Sequence, residues 1–247
     1  MKLLDVRNLK KSFGENTVLN GINLSVSRNE FIVVAGANGS GKTVLMKHLN
    51  GLLRADSGEV LYRDVDIFSD IVNVRKRIGL VFQHSDMQFV GHSVSAEIAF
   101  GPENLGFTRA ERDAKVDAIA ETLRLRSLLS RRPYELSGGE KKRVAIASVL
   151  VMEPEIILLD EPFAGLDYPG VVSILETLEH LYALGHTLVV ITHDLEKVLG
   201  FANRLIIMRK GSVVYDAAPC IDEELYRDNA IRLPYGVGRD VESLKWN

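Results

Sequence analysis

Gly36-Ala-Asn-Gly-Ser-Gly-Lys-Thr43 sets three glycines, an ammonium and two hydroxyls in one short run. The spacing is G-x-x-x-x-G-K-[ST]. Glycines let a backbone curl until successive N–H groups point inward, and such a nest takes an anion. Lys42 then reaches the β- and γ-phosphates of a nucleotide, and the Thr43 hydroxyl is a ligand for Mg²⁺. Further on, the apolar run Ile156-Ile-Leu-Leu ends in Asp160-Glu161-Pro162. A buried strand that ends in two carboxylates delivers them to the crevice where α/β sheets bind ligands. Asp160 is placed to hold Mg²⁺, and Glu161 to orient and activate an attacking water. His193 follows another apolar run, Leu188–Ile191, and can reach a γ-phosphate or that water. Histidines 48, 84, 92, 180 and 186 have no comparable setting. Each feature has a plainer reading: a surface glycine turn, a strand leaving into a polar loop, a satisfied turn histidine. The order of strand, glycine loop, helix and then acidic strand end favours the phosphate site.

Leu136-Ser-Gly-Gly-Glu140 opens a helix over Lys141–Val151. Ser137 can cap it, and Glu140 three residues later completes a capping box. The box accounts for the serine and the glutamate but not for two consecutive glycines. Those point to something approaching the backbone N–H groups closely, with an anion the natural candidate.

These residues need elements to hold them. Leu3–Leu9, Val18–Val26 and Phe31–Val34 read as strands, the first two forming an antiparallel patch and the third buried on both faces. Val44–Leu53 reads as a helix, and residues 56–82 as β-structure ending in Ile78–Phe82. A helical region runs from about Val94 to Val151. One of its helices opens on the capping box Thr108-Arg-Ala-Glu111. Pro169 opens a further helix that Gly185 ends. Leu205–Met208 and Val213–Tyr215 form a hairpin turning at Lys210-Gly211, and residues 217–247 read as an irregular tail. Alternating strands and helices imply an α/β fold with a largely parallel sheet and helices on both faces.

The 247 residues fit one large α/β domain, and a net charge of −3 gives no support to a nucleic-acid partner. Cys220 is the single cysteine, which excludes an intrachain disulfide framework. No signal peptide is read in the charged start, and no apolar run approaches the length of a membrane span.

Taken in order, the phosphate loop, Gln83 after a strand, Leu136–Glu140, Asp160-Glu161-Pro162, Gly165-Leu-Asp167 and His193 resemble the ABC ATPases. The likeness covers about residues 2–216, with the helical part, about 84–153, inserted and 217–247 left as a short tail. It implies a P-loop NTPase of ABC type with a mixed sheet core and an N-terminal antiparallel β subdomain. It implies that Phe13 lies against adenine and that Gly36, Ala37, Asn38, Gly39, Ser40, Gly41, Lys42, Thr43 and Val44 bind ATP. Ser137, Gly138, Gly139 and Glu140 would bind the ATP held by a second ATPase subunit, packed head to tail as a homodimer or a related heterodimer. The implied catalytic residues are Glu161, His193, Lys42 and Gln83. The implied Mg²⁺ residues are Thr43, Gln83 and Asp160, and Asp167 would sit at the dimer interface. As a bare sequence feature, Phe13 reads rather as a packing residue.

A transporter subunit and a non-transport ATPase are the two competing readings. The length allows one such domain, and there is no sustained heptad run or CxxC, which favours transport. The strings "FGPENLGF" and "LSGGEKKRVAIA" resemble the energy-coupling factor branch, which imports vitamins and cobalt or nickel ions. That resemblance implies a peripheral protein on the cytoplasmic face of the membrane. It places the docking surface for a transmembrane subunit at about 84–107, where Met87, Phe89, Val90, Phe100 and Phe107 supply apolar area. The competing reading of these side chains, Phe100 above all, is that they pack the helical part's own core.

Overall fold

The computed structural model describes residues 1–84, 89–234 and 241. Within them the chain forms two sheets. β1 (Lys2–Phe13), β2 (Asn16–Ser27), β4 (Ser57–Tyr62) and β5 (Val65–Asp66) make an antiparallel sheet in the order β2-β1-β4-β5. The second sheet has the order β10-β9-β3-β8-β7-β6. It consists of β3 (Phe31–Ala35), β6 (Ile78–Val81), β7 (Ile156–Asp160), β8 (Thr187–Ile191), β9 (Arg204–Arg209) and β10 (Ser212–Ala217). All its pairings are parallel except β9 with β10. That hairpin turns through Lys210 and Gly211 at φ 47° and 77°, the positive pair a tight two-residue turn requires.

β3, β7 and β8 are buried at every residue, which explains their unbroken apolar runs. Their alternation divides the core in two. Phe31, Val33, Ile157, Leu159, Leu188 and Val190 join one cluster, and Ile32, Val34, Ile156, Leu158, Val189 and Ile191 join the other. The first cluster includes residues of α3 (Val94–Asn104), α4 (Arg109–Thr122), α5 (Gly138–Leu150) and α6 (Tyr168–Ala183). The second includes α1 (Lys42–Leu49) and the buried side of the antiparallel sheet. The central sheet is thus the shared wall of both layers.

Two expectations need correcting. Residues 56–82 are not β throughout: α2 spans Ile71–Arg77, capped by Asp70, which accepts from Asn73 N–H at 3.3 Å. Its β-branched Ile71, Val72 and Val74 carry strand propensity, but the cap and the basic last turn Arg75-Lys76-Arg77 suit a helix end. The tail is not irregular throughout either. After α7 (Leu195–Val198) and the hairpin, α8 spans Glu223–Asp228 with Asp222 as its cap. Tyr226 anchors it, wholly buried, with its hydroxyl donating to the Cys220 carbonyl at 2.5 Å. Burial pushes the Tyr226 phenol far above its ordinary value.

Because Ile157 has no exposed face, Ile157→Ala is expected to cost about 2–5 kcal/mol of folding stability. Urea unfolding monitored by circular dichroism measures it; a loss under about 0.5 kcal/mol would mean the sheet is not the shared wall described.

Candidate nucleotide site

Strand register brings the chemistry together. Asp160 on β7 pairs with Ile191 on β8, and Ile191 pairs with Val34 on β3. The ladder continues past the strand ends: Glu161 N–H donates to the Ile191 carbonyl at 2.9 Å, and Thr192 N–H to the Val34 carbonyl at 3.4 Å. Three segments far apart in sequence therefore emerge side by side at one carboxyl edge. The glycine loop leaves β3 at this edge. A cavity of about 650 Å³ lies there, within the size range of small-molecule sites. Its lining includes Gly36–Gly39, Gly41–Val44, Gln83, Asp160, Glu161 and His193.

The loop's shape depends on what glycine lacks. Gly36 has φ 142°, and a Cβ there would collide with the Met208 carbonyl oxygen. A Cβ at Gly41, φ 103°, would stand 2.8 Å from the Val18 carbonyl oxygen. Gly41 is also the residue before α1, and it offers that helix no capping side chain. The other described helices of eight residues or more are capped by Ser93, Thr108, Ser137 and Asp167. The first-turn N–H groups of α1 are thereby left for an anion, at the positive end of the helix dipole.

Lys42 is 8% exposed, with its ammonium donating to the carbonyls of Gly36 at 2.7 Å and Ala37 at 3.0 Å. Burial pulls its pKa below the ordinary lysine value, while Glu161 and Asp160 pull it back up. Asp160, 6% exposed, is pushed above the ordinary carboxylate range by burial, against the Thr43 hydroxyl, which donates to it at 3.4 Å. A buried carboxylate beside a hydroxyl is a hard-oxygen pair of the kind Mg²⁺ selects. An ammonium in a glycine cradle suits polyphosphate. The donor set fits a magnesium nucleotide.

Glu161 sits at φ 45°, a left-handed backbone that costs a non-glycine residue roughly 1–2 kcal/mol. Its carboxylate accepts from His193 Nδ1–H at 2.9 Å. This hydrogen bond is the main reason the imidazole pKa lies above its ordinary value. Gln83, exposed, lines the same cavity.

Other expected site residues lie elsewhere. Phe13 ends β1 with its ring half exposed, outside the cavity lining, and Lys11 Nζ stands 5.5 Å from the ring centre. Ser40 is buried beneath the loop, its hydroxyl without a hydrogen-bond partner among the described residues. Ser137, Gly138, Gly139 and Glu140 do not line the cavity. They form the capping box, with Ser137 N–H donating to Glu140 at 2.8 Å and Glu140 N–H to the Ser137 hydroxyl at 3.3 Å. That pairing holds the Glu140 carboxyl below its ordinary pKa. The glycine pair also has neighbours within the chain. A Cβ at Gly139 would lie 3.0 Å from the Gly170 Cα, and one at Gly138 would lie 3.1 Å from the Leu166 side chain. Asp167 caps α6, accepting from Gly170 N–H at 3.0 Å. Helix packing therefore shares responsibility for residues first read as ligand contacts.

The cavity has lining residues that sequence reasoning missed: Val18, Thr192, Asp194 and, from the tail, Ala230, Ile231 and Arg232. Val18 was legible only as a strand residue. Residues 230–232 follow α8, whose Asp222-Glu-Glu start was the available signal.

Fold and site together define a P-loop nucleotide-binding protein with two carboxylates, Asp160 and Glu161, at the edge of its cavity. Comparison with known proteins narrows this. Residues 19–164 match the model of the ABC transporter family. EcfA, an energy-coupling factor transporter ATP-binding protein of Methanococcus maripaludis, is 38% identical over 241 residues, covering 95% of this chain and 87% of that protein. EcfA of Methanoculleus marisnigri is 44% identical over 217 residues, covering 87% and 78%. Among solved structures, CbiO1 from Clostridium perfringens, part of the ABC transporter complex CbiONQ, superposes with a TM-score of 0.82 at 34% identity, covering 92% of this chain and 91% of its own. The chain belongs to the ABC transporter family as an ATP-binding protein of energy-coupling factor type. It is an ATPase whose hydrolysis is coupled to transport, and both the fold and the branch read from the motifs hold.

The His193–Glu161 contact has a measurable signature. His193 is expected to titrate above 6.5, and Glu161→Gln to bring it back toward that value. The sign follows from the raised pKa: the stabilisation is fully present below 6.5 and lost as pH rises through the folded value. NMR titration of the imidazole decides it, and a wild-type value at or below 6.5 contradicts the contact.

Proposed function

We propose that two ATPase subunits, copies of this chain or this chain with a relative, close head to tail around two ATP molecules. The observation that carries this reading is a division of labour: loop, acids and His193 share one cavity, while Ser137–Gly139 stands outside it. A helix start with two glycines, remote from its own chain's nucleotide, is free to meet a partner's. Asp167, at the start of α6, would lie along the same seam.

Within each site, Gly36–Val44 would hold the phosphates, with Lys42 turning from its two carbonyls to the β- and γ-oxygens. Thr43, Asp160 and Gln83 would hold Mg²⁺, which when bound neutralises charge on those oxygens. Glu161 would accept the proton of the attacking water, and His193 would hold that carboxylate in place through its 2.9 Å hydrogen bond. The two sites together would act as an ATP-driven clamp.

The clamp would energise uptake of a micronutrient, a vitamin such as biotin or a cobalt or nickel ion, at the cytoplasmic face of a membrane. The energy-coupling factor relatives support the transporter branch; the substrate class rests on the resemblance of the sequence strings to that branch. Among the described residues no helix is long and apolar enough to cross a membrane; the passage itself would lie in a transmembrane subunit. The exposed apolar side chains of 89–107 supply its docking area: Val90 at 65%, Phe100 at 49% and Phe107 at 37%. Phe89 instead packs partly buried against the core, and Met87 lies outside the described residues.

Glu161→Gln is expected to lower ATP turnover by on the order of a hundredfold to ten-thousandfold. It should keep ATP binding and trap the dimer on a sizing column. Turnover near wild type would remove Glu161 as the base. Lys42→Ala should weaken ATP binding at least tenfold in a fluorescent-nucleotide titration, an ammonium–phosphate contact being worth about 1.5–3 kcal/mol. Phe100→Asp should abolish co-purification with the membrane subunit while leaving hydrolysis by the isolated protein intact; undiminished co-purification would move the docking surface elsewhere.

A further inference from the structure

Lys142 is 2% exposed, an uncommon state for a lysine. It lies on α5, and its ammonium donates to the main-chain carbonyls of Gln83 at 2.7 Å and Phe82 at 3.3 Å. Those two carbonyls belong to the segment that leaves β6 and carries Gln83 into the nucleotide cavity. At the start of the same helix stand Gly138 and Gly139. They precede Lys142 by four and three residues, so all three share one helix face. The helix start that would close over a partner's ATP is thus tied, one turn further on, to the residue that faces the chain's own ATP.

From this geometry we propose that Lys142 is a positioning residue for Gln83. It holds the Gln83 backbone to the Ser137–Gly139 helix, so that movement of that helix moves Gln83 in the cavity. An ammonium suits this role, because it offers three donors to two carbonyls and can follow small shifts of either. A neutral apolar side chain of similar length would fill the space but leave both carbonyls without that donor. The inference rests on the dimer reading above, since only there does the helix start meet a nucleotide.

The test is a double-mutant cycle on purified protein with ATP as the probe. Lys142→Met is expected to lower kcat about tenfold or more while changing the ATP Kd less than about twofold; Lys142→Arg, which keeps a cationic donor, should recover most of kcat. In a Gln83→Ala background, Lys142→Met should lower kcat no further, because no side chain remains to be positioned. Additive losses would overturn the proposal and leave the ATPase reading intact. A kcat unchanged by Lys142→Met would do the same, as would a Kd that rises in step with the fall in kcat. If Gln83→Ala alone leaves kcat intact, both the assignment of Gln83 and this inference fall. Should Lys142→Met not fold, Lys142→Gln, shorter and neutral, is taken through the same cycle with the same outcomes.

Discussion

The parallel register of β3, β8 and β7 is the constraint on which the rest depends. Parallel strands all present their carboxyl ends to one edge, so residues distant in sequence reach one place without long loops. Asp160, Ile191 and Val34 form one rung of that ladder, and the glycine loop, Glu161 and His193 are its immediate continuations. Shifting β7 by one residue would send the Asp160 side chain to the other face of the sheet. The alternating core clusters on the two faces make such a shift costly, since every buried strand residue would change sides with it.

On that frame the site is a balance of desolvated charges. Lys42 and Asp160 are both buried, and burial moves each toward its neutral form. Each is partly held by the other's field and by short-range donors and acceptors: carbonyls for Lys42, the Thr43 hydroxyl for Asp160. A polyphosphate with its cation would supply each with a stronger partner. The cavity would thereby gain more from that combination than from either ion alone. Strain is placed where direction matters, at Glu161, whose left-handed backbone begins the turn out of β7.

The helical layer adds a second kind of constraint. α5 packs so closely on α6 that Gly139 and Gly170 leave no room between their backbones. The Ser137–Glu140 box ties off its start, and Lys142 ties its next turn to Gln83. A helix held at its start and along its buried face moves as a unit. That would suit it to carry motion between a surface proposed to meet a second subunit and the nucleotide cavity.

Much of this was legible in the residues alone. Gly36–Thr43 specified its own geometry, because positive-φ glycines, a lysine and a hydroxyl at fixed spacing leave few other uses. The apolar runs announced buried strands, and Thr108-Glu111 and Ser137-Glu140 announced helix starts, since these signals are local. What was not legible required through-space neighbours. α2 was hidden by β-branched residues whose strand propensity yielded to an aspartate cap. The glycines of 138–139 pointed to a close approach to the backbone, but not to Gly170 and Leu166 as the neighbours within the chain. The tail's return to the cavity, the inward turn of Phe89, the exposure of Phe100 and the reach of Lys142 to Gln83 follow from packing between distant segments. Sequence determined which chemistry the chain carries and in what order; tertiary structure decided which groups meet, because register and burial, not spacing along the chain, set the distances between them.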